Sequence, residues 1–356
     1  MILLGVLAAI LGISLLIVIH EAGHFLVARA FGMKVERFSV GFGKVLLRTK
    51  RGGTEFVVSA LPLGGYVKIV GMAPGEDVDP ADPHLYSNQP AWRRFLAILA
   101  GPAANYLTAV LLAFGLLLGS GLLRTDGGAV IGPVQPGTPA AAAGLQDGDR
   151  VRKIAGRPVE TWNELVTAIR TNPGKELPVL VERGGERLEL RLTPQDEKGT
   201  GKAGFGKHRF VVTSPGPGPA IAGAFRWTYR ESAEQVTGFG AIFSGQKSGG
   251  IDNVGGPLAI VQQFLGAFAQ GAGAFVNALW VISIALAVLN LLPIPGLDGS
   301  RLVFLAYELV ARRRVNARIE NAIHSVGIVA LFALIAYVTV FNDLGLGKKL
   351  LTLLGR

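Results

Sequence analysis

The sequence predicts a multi-pass α-helical membrane protein: four transmembrane helices, a membrane-associated β-hairpin region and one extracytoplasmic α+β domain. Three observations carry that expectation. Half of the 356 residues are hydrophobic while only 17% are charged, a balance foreign to disordered and ordinary soluble chains. Four apolar runs are each long enough to cross about 30 Å of hydrocarbon. Between the second and third runs lies an insert with the strand and helix signals of a soluble domain. A net charge of +10 could indicate nucleic acid, but no basic run is interleaved with aromatics. Basic excess on a membrane protein gathers instead near the cytoplasmic lipid surface. The absence of Cys excludes disulfides, zinc fingers and a thiol nucleophile.

The first run, residues 2–19, is uncharged. No basic segment precedes it and no small-residue cleavage site follows, so it reads as a retained helix and not a signal peptide. It continues through His20 and Glu21 into an apolar turn ending at Phe31, giving a first span over 1–31. Further spans are expected at 95–123, 274–292 and 322–341. The short segment before the last one carries Arg312, Arg313, Arg314 and Arg318, and Arg-rich short loops stay in the cytoplasm. Counting back places 124–273 outside and 32–94 inside. The inner assignment agrees with Lys34, Arg37, Lys44, Arg48, Lys50, Arg51, Arg93 and Arg94 in that loop.

Within 32–94, residues 38–47, 54–59 and 65–70 read as strands, the first two flanking an Arg51-Gly52-Gly53 turn. Strands this apolar beside a membrane are expected to dip into it. Residues 76–83 form a solvated acidic connection. In the insert, 124–197, strands are expected near 129–134, 150–154, 177–183 and 187–192, with Gly184-Gly185 closing a hairpin. Thr161-Trp-Asn-Glu164 is a capping box that starts a helix. Residues 198–273 begin as a Gly/Pro-rich linker. Phe225, Tyr229, Val236, Phe239 and Phe243 then recur at helical spacing, which fits an amphipathic helix on the outer membrane surface or on the insert, or a packed core helix. The third membrane region spans 274–310, and 311–356 holds the Arg-rich loop, the fourth span and a tail.

The chemistry sits in His20-Glu21-Ala22-Gly23-His24. One turn apart on a helix, His20 and His24 share a face and can reach one metal ion, while Glu21 can serve as general base. A zinc ion acidifies water to a pKa of about 7. Three ionisable residues at the end of an apolar span are costly and therefore functional by default; the plain alternative is a polar helix end at the interface. A partner lies in Asn290-Leu-Leu-Pro293-Ile-Pro295-Gly-Leu-Asp298-Gly299. Two prolines break the helix at membrane depth, tolerated only where backbone is buried or lines a polar cavity. Asp298 suits a third zinc ligand, its rival role being the N-cap of the next helix. Asn290 could bind an extended substrate or satisfy the broken helix.

Together the motifs resemble the site-2 protease family of intramembrane zinc metalloproteases, in its bacterial PDZ-bearing branch. Gly41-Phe-Gly-Lys, Gly101-Pro-Ala-Ala-Asn105, Gly256-Pro257 and Phe341-Asn-Asp-Leu extend the match over almost the whole chain. The insert, with its Gly137-Thr-Pro-Ala-Ala-Ala-Ala-Gly-Leu-Gln-Asp-Gly-Asp149 stretch, is similar to a PDZ domain of the bacterial protease type. Such domains take peptide segments by edge-strand addition. By this resemblance His20, His24 and Asp298 bind Zn2+, Glu21 is the base, and Asn290, Pro293 and Pro295 hold substrate. The inner hairpin would clamp a substrate strand. The implied activity is hydrolysis within transmembrane segments of single-pass proteins such as anti-sigma factors and remnant signal peptides. The setting would be the bacterial cytoplasmic membrane, with peptides at the external PDZ domain, the lipid bilayer around the spans, and no nucleic acid. That domain would exclude bulky, unprocessed substrates. This chain shows one PDZ copy where one member of the branch carries two, and it has Ser300-Arg301 where many continue Gly-His. His84, His208 and His324 fit no motif and are expected at the surface or between helices. A catalytically silent PDZ scaffold is the alternative, disfavoured by the intact Glu21.

Overall fold

The computed structural model describes residues 2–72, 76–125, 128–197, 199–243 and 255–344. The tail beyond 344 and residues 244–254 of the expected linker lie outside the described residues. The chain forms two compact units, Gly121–Thr213 and the combination of Met1–Ser120 with Ser214–Arg356.

Helix α1 (Ile2–Ala30) is 29 residues long, about 43 Å and more than a hydrocarbon core requires. Strands β1 (Val35–Arg51) and β2 (Thr54–Ile69) follow. Gly52 and Gly53 both have positive φ, the two-residue turn that matches strand twist, and Arg51 pairs with Thr54 across it. Register shifts then bend both strands. Arg37–Val40 ends up flanked by Glu55–Val58 and by Gly65–Lys68, so the third strand expected from residue 65 is the far half of β2. The Ser14 hydroxyl donates to the Pro62 carbonyl at one end of this sheet, and Arg29 Nη1 donates to Gly52 O at the other, 2.7 Å. The sheet therefore runs beside α1 for roughly fifteen residues, about 22 Å. Phe42, Leu46, Leu47 and Leu61 stand exposed on it.

Helix α2 (Ala91–Leu118) stops short of the expected residue 123. Leu122 and Leu123 prolong the apolar run in sequence, but Leu122–Thr125 is a strand, β3, paired with Arg209–Val212. In the same unit come β4 (Ile131–Val134), α3 (Pro139–Ala142), β5 (Arg150–Ile154), β6 (Arg157–Pro158), α4 (Trp162–Arg170), β7 (Leu177–Arg183) and β8 (Glu186–Leu192). Short strands β9 (Gln195–Glu197), β10 (Thr200–Lys202), β11 (Phe205–Lys207) and β12 (Arg209–Val212) complete it. The main sheet has the order β6-β5-β7-β8. Alternation along β7, and a register shift in β5 after Val151, turn Val151, Ile154, Val179 and Val181 into the core against Leu165 of α4. The Thr161–Glu164 capping box forms as expected. Amide groups of Glu160 and Thr161 hold the Glu164 carboxyl below its usual range.

Helix α5 (Pro217–Phe243) packs one face into the larger unit. It lies along α2 and along α7 (Ala272–Leu291). The stripe that decides this is Ala220, Ala224 and Thr228, all fully buried. Trp280 Nε1 donates to Thr228 Oγ1 at 3.2 Å, while Phe225, Tyr229 and Val236 face outward. Helix α6 (Pro257–Ala269) precedes α7 and packs on α1 and α7. Asp343 accepts from the amides of Gly256 at 2.8 Å and Leu258 at 2.9 Å, capping α6 from a distant part of the chain. After α7 the chain breaks at Pro293 and Pro295 and resumes as α8 (Asp298–Ala311), then α9 (Ala317–Tyr337). Among the described residues, four helices are long and apolar enough to cross a membrane: Ile2–Ala30, Ala91–Leu118, Ala272–Leu291 and Ala322–Asp343.

One ion pair between a buried Asp149 and a half-buried Arg183 anchors the smaller unit. Fully buried Asp149 takes Arg183 Nε and Nη2, each at 2.7 Å, and the Gln146 amide at 2.9 Å. It is a structural carboxylate. Replacing one partner of such a pair leaves its charge and donors unmatched, so Asp149→Ala should cost about 3 kcal/mol. A urea titration following this unit's unfolding would register the loss as a lower midpoint; an unchanged midpoint would contradict it.

Candidate metal centre

His20 and His24 lie one turn apart on α1, both buried. Their Nε2 atoms are 3.2 Å apart. Asp298, first residue of α8, brings Oδ2 to 2.9 Å from His20 Nε2 and 3.2 Å from His24 Nε2. Asp298 makes no capping bond; the N-cap position belongs to Leu297. The prolines are what allow this. They end α7 so that α8 can start with its first side chain beside α1.

Two glycines set the approach of α1 and α2. A Cβ on Gly23 would collide with the Ala100 carbonyl. One on Gly101 would collide with His24 Nε2 and stand 2.8 Å from His20 Nε2. The imidazoles thus occupy the space that a side chain at 101 would fill. Helices in an apolar medium associate through such small-residue contacts.

The donor set fits a metal ion on its own chemistry. His24 Nδ1 lies 2.8 Å from Ala97 O; a carbonyl only accepts, so Nδ1 carries the proton and neutral His24 has its electron pair at Nε2. That pair faces His20 Nε2 and the Asp298 carboxylate. With His20 Nε2 also unprotonated, three electron-rich atoms converge in a buried space and call for a cation between them. Their 2.9–3.2 Å separations match the roughly 3.3 Å edge of a tetrahedron with zinc–ligand bonds near 2.0 Å. Among the described residues this is the one group of three or more His and acidic side chains so disposed.

Glu21 stands beside the cluster, its Oε2 accepting from the Val67 amide of β2 at 3.1 Å. Asn290, expected to hold substrate or its own helix, donates through Nδ2 to Leu286 O one turn back, 2.9 Å. Pro293 and Pro295 are exposed. Of the remaining histidines, His84 bonds Gly32 O and His208 bonds Asp147 at the surface, while His324 is buried with Ser300 at 3.4 Å. Sequence reasoning from chemistry alone missed Ala97, Val67 and Asn105. The first two act through backbone groups and leave no signature. The third was findable as a polar residue in an apolar span.

The sequence profile of peptidase family M50 matches residues 8–334. The regulator of sigma-E protease of Escherichia coli is 30% identical, the alignment covering 94% of this chain and 97% of that protein. A Campylobacter jejuni protein named as a candidate zinc metalloprotease is 35% identical, over 95% and 92%. Among solved structures, the PDZ domain of an SdrC-like protein from Listeria innocua is 25% identical over 23% of this chain and 93% of that one, with a TM-score of 0.21.

Gly101→Ala tests the packing directly. The added methyl must displace His24, His20 or the α1–α2 contact, so bound divalent metal, read by elemental analysis of purified protein, should fall at least tenfold. Full metal content in the alanine variant would show that the imidazoles lie elsewhere.

Proposed function

Because the chain belongs to peptidase family M50, we propose that it is an intramembrane zinc endopeptidase of the site-2 protease type, cutting within the transmembrane segments of single-pass proteins. The observation that carries this reading is the convergence of His20, His24 and Asp298 with Glu21 alongside. His20, His24 and Asp298 would hold the metal, leaving a fourth position open. Zinc, when bound, supplies a Lewis acid that polarises a carbonyl and acidifies water. Glu21 takes a proton from the attacking water and returns it to the leaving amine, which its position one residue from a ligand permits.

A substrate helix has its peptide groups bonded to one another and must be extended before cleavage. The bent sheet beside α1 is suited to receive it, because an added strand regains backbone hydrogen bonds at the sheet border. Near the break after α7, Pro293 and Pro295 cannot donate and the carbonyls around them lack helical partners. Asn290 at the end of α7 could add a contact by giving up its bond to Leu286. The exposed Phe42, Leu46, Leu47 and Leu61 favour a sheet immersed in lipid. Arg312, Arg313, Arg314 and Arg318 favour a cytoplasmic loop between α8 and α9, which puts the cut towards the cytoplasmic side and Gly121–Thr213 outside as a peptide-binding PDZ domain. Anti-sigma factors and remnant signal peptides in a bacterial cytoplasmic membrane suit such a site.

Purified protein and a tagged single-pass substrate in detergent decide the matter. Glu21→Gln should retain zinc and lose cleavage by 10²–10⁴-fold, and chelation should abolish wild-type cleavage until zinc is restored. Equal cleavage by the glutamine variant, or wild-type protein without metal, would overturn the reading.

A further inference from the structure

Asn105 is fully buried in α2, with its Nδ2 3.3 Å from His20 Nδ1 and its Oδ1 buried without a hydrogen-bond partner. This pairing conflicts with the metal reading. If Nε2 of His20 is the ligand atom, the proton of the neutral ring is on Nδ1. An N–H would then face an NH2 while a carbonyl oxygen goes unused. Turning the amide by 180° exchanges its two ends at almost no change of volume and removes the donor–donor clash, because Oδ1 then accepts from His20 Nδ1–H. We infer that Asn105 is a positioning residue for the metal centre, fixing the ring and tautomer of His20 by accepting from Nδ1 in the metal-loaded protein. The inference rests on the zinc reading above.

The pattern on α2 gives it independent support. Ala97, Gly101 and Asn105 are spaced four apart and so share one face. Ala97 offers its carbonyl to His24 Nδ1 at 2.8 Å. Gly101 leaves room for both Nε2 atoms. Asn105 reaches His20 Nδ1. One helix face therefore serves both imidazoles, with an acceptor for each and a gap between. The Asn105 backbone is itself anchored, since Ser283 Oγ of α7 donates to its carbonyl at 2.8 Å. An outer acceptor holding a ligand imidazole typically changes metal affinity 10–100-fold when removed.

Zinc affinity of full-length protein in detergent, measured by competition with a chromophoric chelator, tests this against a merely structural role. Asn105→Leu keeps the size but has no acceptor, so zinc affinity should fall 10–100-fold. Its metal-free melting temperature should change little, because the orphaned oxygen goes together with the bond to His20 Nδ1. Asn105→Asp keeps an acceptor at the same reach and should stay within about threefold of wild type or bind more tightly. Wild-type affinity in the leucine variant, or equal weakening in both variants, overturns the inference. Should the leucine variant not fold, Asn105→Ala takes its place with the same expected loss. Wild-type protein that takes up no zinc would instead sink the zinc reading, so the two failures are distinguishable.

Discussion

Three electron pairs aimed at one point inside a bundle of apolar helices is the constraint on which the larger unit depends. An imidazole pair and a carboxylate so close together are unfavourable in a buried space without a positive charge among them. Neighbouring elements are shaped by that requirement. Helix α1 supplies two rings on one face, α2 gives up a side chain at Gly101, and α8 can begin beside them because two prolines stop α7. The close crossing of α1 and α2 at Gly23 keeps the rings from spreading. What looks like a local motif is a condition on four helices.

The β-sheet shows the same economy from the backbone side. A buried peptide group has no water to pair with, so a strand packed beside apolar helices must pair within the protein. Bending β1 and β2 lets one segment, Arg37–Val40, be paired on both flanks. At the border the Val67 amide finds Glu21. A carboxylate in an apolar span and an amide at a sheet edge are both costly when alone, and each removes the other's penalty.

How much of this the sequence reveals depends on whether a feature is written in side-chain chemistry. The four long apolar helices, the Gly52-Gly53 turn and the Thr161–Glu164 capping box follow from residue types at fixed spacing, whereas Asp298, 278 positions from His20, is legible only as a ligand type that completes a two-His set. The end of α2 does not, because Leu122 and Leu123 are as apolar as the helix before them and only their pairing with Arg209–Val212 makes them a strand. For α5 the large aromatics drew the eye, whereas packing between helices is decided by what is small. Ala97 and Val67 contribute backbone atoms that any residue possesses. The Asn290 bond to Leu286 O is one that any helical Asn can make, so it leaves no signature of function.

The cap that Asp343 places on α6 has a consequence for synthesis. The amides of Gly256 and Leu258 acquire their acceptor from residues 87 and 85 positions later. At about 5–20 residues per second, that partner is made roughly 4–17 s after its donors. During that interval the start of α6 must rely on water, lipid headgroups or a chaperoning surface. The cap on α6 thus forms only once residue 343 has been made, and the last helix closes a joint that the earlier ones leave open.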